Sequence, residues 1–439
     1  MKPNYVFLLV CCILSVSQAK VAAQAPSNGF RVRAVNLGGW LVTEEWIKPS
    51  LFNAIPNKDL LDGTGIQFKS VTVGKYLCAE SGGGTILVAN RTDPSGWETF
   101  SAKTEQLVTA DSNGNEGWGD NDPSVFIMKN TGGLHGEFQV TNGYGPFVAP
   151  IVMKNHWDTF IVEEDFKFIS SNGLNTVRIP VGWWIAYDPN PPKPFVGGSL
   201  RALDNAFLWA TKYGLKVIID LHAAPGSQNG WEHSASRDGS QEWGNSQDYI
   251  RQTVAVIDFL TARYAQNPSL YAVELLNEPR APGVSLEAVT EYYKAGYAAV
   301  RKHSSTAYVV MSNRLGASNT ELLAMAGALK GTVVDVHYYN LYIDLFKDMT
   351  AQQNIDYVYN DRRAELSVVT TSNGPLSFVG EWVAEWDVKN PTKEDYQRYA
   401  KAQLEVFGRA TFGWAYWTLK NVNNHWSLEW MIKNGYITL

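Results

Sequence analysis

Two glutamates in this chain each end a short apolar stretch of the kind that forms a buried β-strand. Glu278 lies in the segment Leu275–Pro279 (LLNEP), and Glu381 lies in Phe378–Trp382 (FVGEW). Two carboxyl groups that face each other across a cleft can break a glycosidic bond, one as proton donor and the other as nucleophile or base. The alternative is that Glu278 belongs to an ordinary turn and Glu381 is a surface charge.

The chain around these glutamates alternates apolar strands with amphipathic helices. The predicted strands are Arg31–Trp40, Thr176–Trp184, Lys216–Ala223, Tyr271–Asn277, Tyr308–Asn313, Val333–Tyr339, Leu376–Trp382 and Phe412–Leu419. The predicted helices are Thr159–Asn172, Ser199–Tyr213, Asp248–Tyr264, Leu286–His303, Thr320–Leu329, Asp356–Thr370 and Lys393–Phe407. Such alternation is typical of a parallel sheet, and eight strands predict an α/β fold with a closed (β/α)8 TIM barrel rather than an open sheet.

Residues 64–150 interrupt this alternation after the first predicted strand. The stretch is rich in Gly, Asn, Ser and Thr, with short alternating runs at Thr85–Ala89, Val125–Lys129 and Glu137–Thr141. These runs predict a small all-β module inserted in the first βα-loop, and such loops surround the active face of a barrel. The module resembles a fascin-like, β-trefoil-related repeat in the segments Gly74–Glu80, Val88–Arg91 and Trp97–Phe100.

The first 23 residues have the features of a secretory signal peptide. Lys2 precedes a short apolar core, Tyr5–Val16, and small residues with candidate cleavage sites after Ala19 and Ala23 follow. The core is too short to span a bilayer, so we expect a secreted protein that is extracellular or in a cell wall. Residues 24–63 would then hold the first barrel strand, and residues 151–439 the rest of the barrel.

The composition predicts a globular protein, and its high aromatic content is compatible with sugar binding. Apolar residues make up 45% and charged residues 18%, and the formal net charge is −6 without a long basic run, which argues against nucleic acid or stable membrane insertion. Aromatic residues reach 13%, and their rings can stack on sugar faces. Cys78 is the one cysteine outside the signal peptide, so we expect no internal disulfide, and Asn90 is the one sequon without proline, so the protein is a candidate glycoprotein. We also expect a monomer.

Polar and aromatic residues also end several other predicted strands, where barrel enzymes build their active sites. These residues are His222, His337, Tyr339 and Trp417, and Arg178 lies within the second predicted strand. The motifs that contain these residues occur in the order found in glycoside hydrolase family 5. The chain therefore resembles this family, and within it the exo-β-1,3-glucanase-like group. The matching segments are Asn36–Glu44, Thr176–Pro180, Asp220–Gly230, Leu275–Pro279, Val336–Tyr339, Val379–Trp382 and Tyr416–Trp417. The fascin-like insert further resembles a plant group of this family that is linked with β-glucosidase and transglucosidase activity.

The resemblance implies that Glu278 is the acid/base and Glu381 the nucleophile of a retaining enzyme. Arg178 would favour the ionised form of Glu381, because a nearby cation stabilises a carboxylate. Asn277 would donate to the sugar 2-hydroxyl, a contact that strengthens in the transition state. Tyr339 would donate to the nucleophile and hold its orientation.

The remaining candidates would bind the glucose ring. His222 and His337 would supply hydrogen bonds to ring hydroxyls, and Trp417 a flat face beneath the sugar. Glu44 matches a family glutamate that binds this sugar, and Trp46 lies beside it in the sequence.

Two loops depart from the family pattern. After Gly230 the chain reads Trp231-Glu232-His233, where fungal exo-glucanases commonly carry Phe-Asp-Asn. After Trp417 it lacks the Lys-Thr-Glu of those relatives. Both loops shape the entrance, so the choice between β-1,3 and β-1,4 linkages stays open, and Trp231 is predicted to clamp the aglycone or second sugar.

We expect neither a metal nor a cofactor. Asp220 and His222 form an Asp-x-His pair, but the sequence lacks the further His and Asp cluster of metal-dependent barrel hydrolases. Glu274 and Asp335 are interpreted as structural residues within strands.

The sequence thus predicts a secreted retaining glycosidase that removes β-linked glucose from β-glucosides, oligosaccharides or β-glucans, with transglucosylation as a further activity. The alternative from another class is a non-catalytic carbohydrate-binding protein on a barrel scaffold. Retention of both glutamates favours the enzyme, since a lectin has no need of a proton donor.

Overall fold

The computed structural model describes residues 29–56, 64–82, 85–101, 126–130 and 133–439. The predicted signal peptide, residues 1–23, lies outside these residues, as does part of the predicted insert.

The described residues form thirteen strands and eleven α-helices. The strands are β1 (Val32–Asn36), β2 (Gly65–Ser70), β3 (Tyr76–Ala79), β4 (Leu87–Arg91), β5 (Thr99–Ser101), β6 (Phe126–Asn130), β7 (Thr176–Gly182), β8 (Lys216–Ala223), β9 (Leu270–Glu274), β10 (Tyr308–Ser312), β11 (Thr332–Tyr338), β12 (Leu376–Trp382) and β13 (Gly413–Tyr416). The helices are α1 (Glu137–Thr159), α2 (Glu163–Ser171), α3 (Ser199–Lys212), α4 (Gln247–Tyr264), α5 (Leu286–His303), α6 (Leu323–Gly327), α7 (Asp344–Lys347), α8 (Ala351–Tyr357), α9 (Arg363–Val369), α10 (Lys393–Phe407) and α11 (Leu428–Lys433).

Eight parallel strands close into a barrel in the order β1, β7, β8, β9, β10, β11, β12 and β13. Closure is made by β1, which pairs with β7 on one side and with β13 on the other. All eight predicted strands overlap these elements, so the predicted (β/α)8 barrel is confirmed.

The barrel strands alternate apolar side chains that pack against the helices with side chains that fill the interior. In β7, Val177 and Ile179 belong to the outer apolar core, whereas Arg178 between them is fully buried within the barrel. Deeper in the interior, Phe412 packs on the rings of Tyr271 and Phe378. An aromatic layer therefore closes the floor beneath a polar layer.

One predicted helix, Asp356–Thr370, is a composite. It begins earlier as α8, passes through a π-helical turn at Val358–Arg362 and continues as α9. The π turn directs Arg362 toward the loop after β11, where its guanidinium donates to the Tyr339 carbonyl over 2.7 Å.

The insert forms an antiparallel sheet in the first βα-loop, as predicted. β3 and β5 pair with different ends of β2, β6 pairs with β2, and β4 pairs with β3. A Cβ atom placed on Gly133 would lie 2.9 Å from the Cα of Thr64, so the chain leaves the insert beside its entry point.

The strand predicted at Glu137–Thr141 is wrong, because these residues begin α1. The side chain of Gln139 accepts from the Gly136 amide and caps the first turn, which the alternating sequence concealed. The helix is bent at Gly145 (φ +71°), and Pro146 follows the bend. A Gly-Pro pair favours a turn over a straight helix.

The first residue of α1 ties the helix to the β1 loop. The buried carboxylate of Glu137 accepts hydrogen bonds from the amide and hydroxyl of Thr43, the neighbour of Glu44. Burial raises the pKa of Glu137 to about 7, although these hydrogen bonds act in the opposite direction.

This buried carboxyl should make stability fall as pH rises. The ordinary pKa of this carboxyl group is 4.5, so the unfolded chain loses the proton at a lower pH than the folded chain does. The contribution of Glu137 to the free energy of unfolding therefore declines between about pH 4.5 and 7. Glu137→Gln removes this titration. We expect its free energy of unfolding, relative to that of the wild type, to rise by about 2–3 kcal/mol between pH 5 and pH 8, measured by urea unfolding. Thr43→Val is the control: it leaves the Glu137 carboxyl group in place, so its free energy of unfolding should still decline as pH rises. Equal pH slopes for Glu137→Gln and wild type would contradict this prediction.

Candidate active site

A cleft of about 630 Å³ opens at the carboxyl ends of the barrel strands. Nine of the predicted site residues line it: Glu44, Trp46, His222, Trp231, Glu278, His337, Tyr339, Glu381 and Trp417. The other two, Arg178 and Asn277, are fully buried and contact residues of the cleft wall. The structure therefore brings all eleven predicted residues together.

Glu278 lies four residues beyond the end of β9, on a loop held by neighbouring strands. The Asn277 amide donates to the Leu221 carbonyl over 2.9 Å, and the Glu278 amide donates to the Ser312 hydroxyl over 3.3 Å. Glu278 has φ +45°, a left-handed conformation that costs a non-glycine residue free energy. These contacts hold the strained residue in place and direct its side chain into the cleft.

Arg178 is the hub of a buried hydrogen-bond network below the cleft. Its guanidinium makes two bonds to Glu274, of 2.7 and 2.9 Å. It also donates to Asn36 over 2.9 Å, to Asn277 over 2.8 Å and to Glu381 over 3.0 Å. Because Asn277 uses its oxygen toward Arg178, its amide NH2 group is left to point toward the cleft side, 3.4 Å from His222 Nε2.

Glu381 is held through both of its oxygens. Arg178 donates to Oε1, and the Tyr339 hydroxyl donates to Oε2 over 2.7 Å. An oxygen of Glu381 and an oxygen of Glu278 lie within 4.8 Å of each other. The two carboxyl groups therefore lie close together in the cleft.

Each oxygen of Glu278 faces an imidazole. His337 Nδ1 lies 2.6 Å from Oε1, and His233 Nε2 lies 3.3 Å from Oε2. Burial opposes ionisation of Glu278, but the two histidines outweigh it and hold its pKa well below the usual range. His337 also faces Asp335 over 3.2 Å, so neither of its nitrogens is free for a sugar hydroxyl.

Glu44 and Trp417 form another part of the wall. Burial raises the pKa of Glu44 to about 8, although nearby His233 and a 2.8 Å hydrogen bond from Trp46 act the other way. The Trp417 ring lies parallel to that of His222, with centroids 5.4 Å apart. A Cβ atom on Gly38 would lie 2.7 Å from the Trp417 ring, so glycine there allows the indole its position.

The cleft entrance is aromatic and apolar. Trp231 has the Arg280 guanidinium 5.0 Å from its ring centroid. Tyr342, Leu315 and Ile343 also line this cleft, and the side chain of Tyr342 is largely exposed. Such a surface can hold a flat ring or an apolar aglycone.

Two groups of donor atoms in this region could hold a metal ion. They are Glu274, Asp335 and His337, and Glu278, His337 and Glu381, with donor atoms within 4.8 Å of one another in each group. In both groups the histidine is hydrogen-bonded to a carboxylate. The expectation of metal-free chemistry stays a prediction.

Sequence reasoning did not assign a role to His233 or Tyr342. His233 appeared only as a departure from the Phe-Asp-Asn pattern, and that departure was the available signal. Tyr342 follows β11 on an irregular loop, where neither strand nor helix periodicity marks a site residue.

Two family models match this chain. The family model described as "Cellulase (glycosyl hydrolase family 5)" matches residues 142–423, and one described as "Domain of unknown function (DUF7910)" matches residues 57–102. The fascin-like character of the insert stays a prediction.

Similar proteins cover most of the chain. The probable glucan 1,3-beta-glucosidase A of Emericella nidulans is 28% identical, over 96% of this chain and 94% of its own. The glucan 1,3-beta-glucosidase of Blumeria graminis is 32% identical, over 71% of this chain and 80% of its own. The crystal structure of rutinosidase from Aspergillus niger has the same fold, with a TM-score of 0.65 at 19% identity, and covers 93% of this chain and 98% of its own.

The fold, the paired glutamates and the extent of the family match agree. The chain belongs to glycosyl hydrolase family 5 and is a glycosidase.

Proposed function

We propose that this protein is a retaining glycosidase that removes glucose from the ends of β-glucosides, oligosaccharides or β-glucans. The observation that carries the proposal is the spacing of Glu278 and Glu381, whose nearest oxygens lie within 4.8 Å. Retaining enzymes place these groups about 5–5.5 Å apart, whereas inverting enzymes leave about 6.5–9.5 Å for a water molecule. The glucan 1,3-beta-glucosidase names of the relatives support the choice of substrate.

In the first step Glu278 gives a proton to the glycosidic oxygen while Glu381 attacks the anomeric carbon. The C–O bond breaks, the aglycone leaves, and a glucosyl ester forms on Glu381. Glu278, now a carboxylate, then takes a proton from water as the water oxygen attacks the same carbon. An acceptor hydroxyl in place of water gives transglucosylation.

The other residues orient these groups and the sugar. Arg178 and Tyr339 hold Glu381 by one hydrogen bond to each oxygen. Asn277, fixed by Arg178, presents its amide to the sugar 2-hydroxyl, and Trp417 lies under the ring. Glu44 accepts hydrogen bonds from sugar hydroxyls at the closed end of the cleft.

We propose secretion to the cell exterior or cell wall, which rests on the predicted signal peptide at residues 1–23. Within the described residues, none of the helices combines the length and apolar character needed to cross a membrane. The monomeric state and glycosylation of Asn90 stay predictions.

Removing either glutamate should abolish turnover. Glu278→Ala and Glu381→Ala should each lower kcat on a phenyl β-glucoside by at least about 100-fold, because each loses a group that acts on the reacting atoms. With azide and 2,4-dinitrophenyl β-glucoside, whose leaving group needs no proton, Glu381→Ala should form the α-glucosyl azide and Glu278→Ala the β-glucosyl azide, measured by NMR. A folded Glu381→Ala protein with wild-type turnover would refute the assignment, and sugar binding without turnover by the wild type would favour the carbohydrate-binding alternative.

A substitution that displaces the Trp417 ring should weaken sugar binding while both glutamates stay unchanged. The added methyl group of Gly38→Ala would meet the Trp417 ring at 2.7 Å. We expect kcat/KM on short β-glucosides to fall about 10-fold, since the displaced indole no longer supports the ring. In the control Gly96→Ala, the new methyl group meets nothing within 4 Å and kcat/KM should be unchanged. Equal activity of the two variants would argue against Trp417 as the platform.

We propose that the insert is a separable module whose end lies near residue 133 rather than 150. None of its described residues lines the cleft, and its ends meet at Thr64 and Gly133. Replacing residues 65–132 by a short linker should leave turnover of phenyl β-glucoside within about twofold. A selective loss on polymeric β-glucan would indicate that the module grips a longer glycan, and equal rates on both would indicate a structural lid. Loss of both activities in a folded protein would contradict separability.

A further inference from the structure

His233 faces the proposed general acid and has a different environment from the other histidine there. His337 lies between carboxylates on both ring nitrogens, Glu278 and Asp335. His233 contacts Glu278 through Nε2 alone, at 3.3 Å, and its side chain is 18% exposed. His337 is therefore fixed as a cation between acids, whereas His233 has one carboxylate partner.

Asn229 supplies a second partner to the same nitrogen of His233. The orientation of its amide follows from two backbone contacts: Oδ1 accepts from the Trp231 amide over 3.0 Å, and Nδ2 donates to the Glu278 carbonyl over 3.2 Å. Nδ2 also lies 2.9 Å from His233 Nε2. Because an amide NH2 group only donates, this bond forms when Nε2 has lost its proton.

Nε2 of His233 thus has a hydrogen-bond partner in either protonation state. With a proton it donates to Glu278, and without one it accepts from Asn229. On the basis of the proposed function, we propose that His233 stores the proton of the general acid and passes it to Glu278. His233 is a positioning residue in this scheme, since it acts through Glu278.

The proton balance of the cycle is closed. At rest Nε2 carries the proton and Glu278 is a carboxylate. The proton moves to Oε2 of Glu278 and then to the glycosidic oxygen as the C–O bond breaks, which leaves a neutral imidazole and a carboxylate. The carboxylate next takes a proton from the attacking water, and that proton returns to Nε2.

The contact with Glu278 favours storage of a proton on His233 at neutral pH. Burial lowers the pKa of His233, but the hydrogen bond and charge of Glu278, followed by Glu44 and Glu232, outweigh burial and raise this pKa to about 9. The ring of His222 is the other titratable group in ring contact with it, 5.4 Å away. The pair can therefore keep its proton up to about pH 9, even though the pKa of Glu278 itself is low.

The test compares leaving groups across pH. We expect His233→Asn to move the alkaline limb of kcat/KM on phenyl β-glucoside down by at least about one pH unit and to lower its value at pH 8 by at least about 10-fold. On 2,4-dinitrophenyl β-glucoside, whose leaving group needs no proton, the loss should stay within about threefold. The matched control is His303→Asn, which removes a histidine paired with Asp258 on the outer helices, over 2.9 Å, and should change neither substrate's profile.

A second variant acts on the other partner. Asn229→Asp replaces the amide donor by a carboxylate acceptor, which should retain the proton on His233. We expect kcat/KM on phenyl β-glucoside to fall about 10-fold and kcat/KM on 2,4-dinitrophenyl β-glucoside to stay unchanged. If His233→Asn fails to fold, the comparison of the two substrates with Asn229→Asp tests the proposal. An unchanged alkaline limb, or equal losses on both substrates, overturns the proton store. Absence of activity in the wild type, or full activity of Glu278→Ala, instead overturns the proposed function.

Discussion

The buried guanidinium of Arg178 is the constraint on which the site depends. A charge without solvent is costly unless every donor is paired, and Arg178 meets this demand with Glu274, Asn36, Asn277 and Glu381. These partners come from different strands or strand ends around the barrel. The guanidinium therefore fixes the position of Glu381 directly and that of Glu278 through its neighbour, so that the distance between the two carboxyl groups follows from the packing of one residue.

The two carboxyl groups differ because different cations face them. Glu381 is bonded to a guanidinium, which stays charged throughout, and to the Tyr339 hydroxyl. Glu278 faces two imidazoles: His337 lies between two carboxylates, and Nε2 of His233 has a hydrogen-bond partner with or without its proton. In the proposed function this difference suits Glu381 to the role of nucleophile and Glu278 to that of proton carrier, because a guanidinium does not give up a proton in a protein whereas an imidazole can.

Much of the fold could be predicted because its signals are local. Apolar runs marked all eight barrel strands, and α5 and α10 have the bounds that periodicity predicted. The segment Glu137–Thr141 was wrong because five alternating residues suit a strand, while the cap from Gln139 and the contact with Thr43 that make it helical come from tertiary structure. The bend at Gly145 and the π turn before α9 were missed for the same reason, since a single sequence pattern does not report such local changes of helix geometry.

The sequence by itself determined the class of fold, since eight alternating strands and helices close into a barrel. Its resemblance to glycoside hydrolase family 5 supplied the eleven candidate site residues, which the structure brings together. The sequence could not determine which side chains pair. His233 and Asn229 lie on the loop after β8 and Glu278 on the loop after β9, and only the folded loops bring Nε2 and Oε2 to 3.3 Å. Irregular loops lack the periodicity that makes strands predictable, so the contacts that control the proton were decided by the tertiary structure.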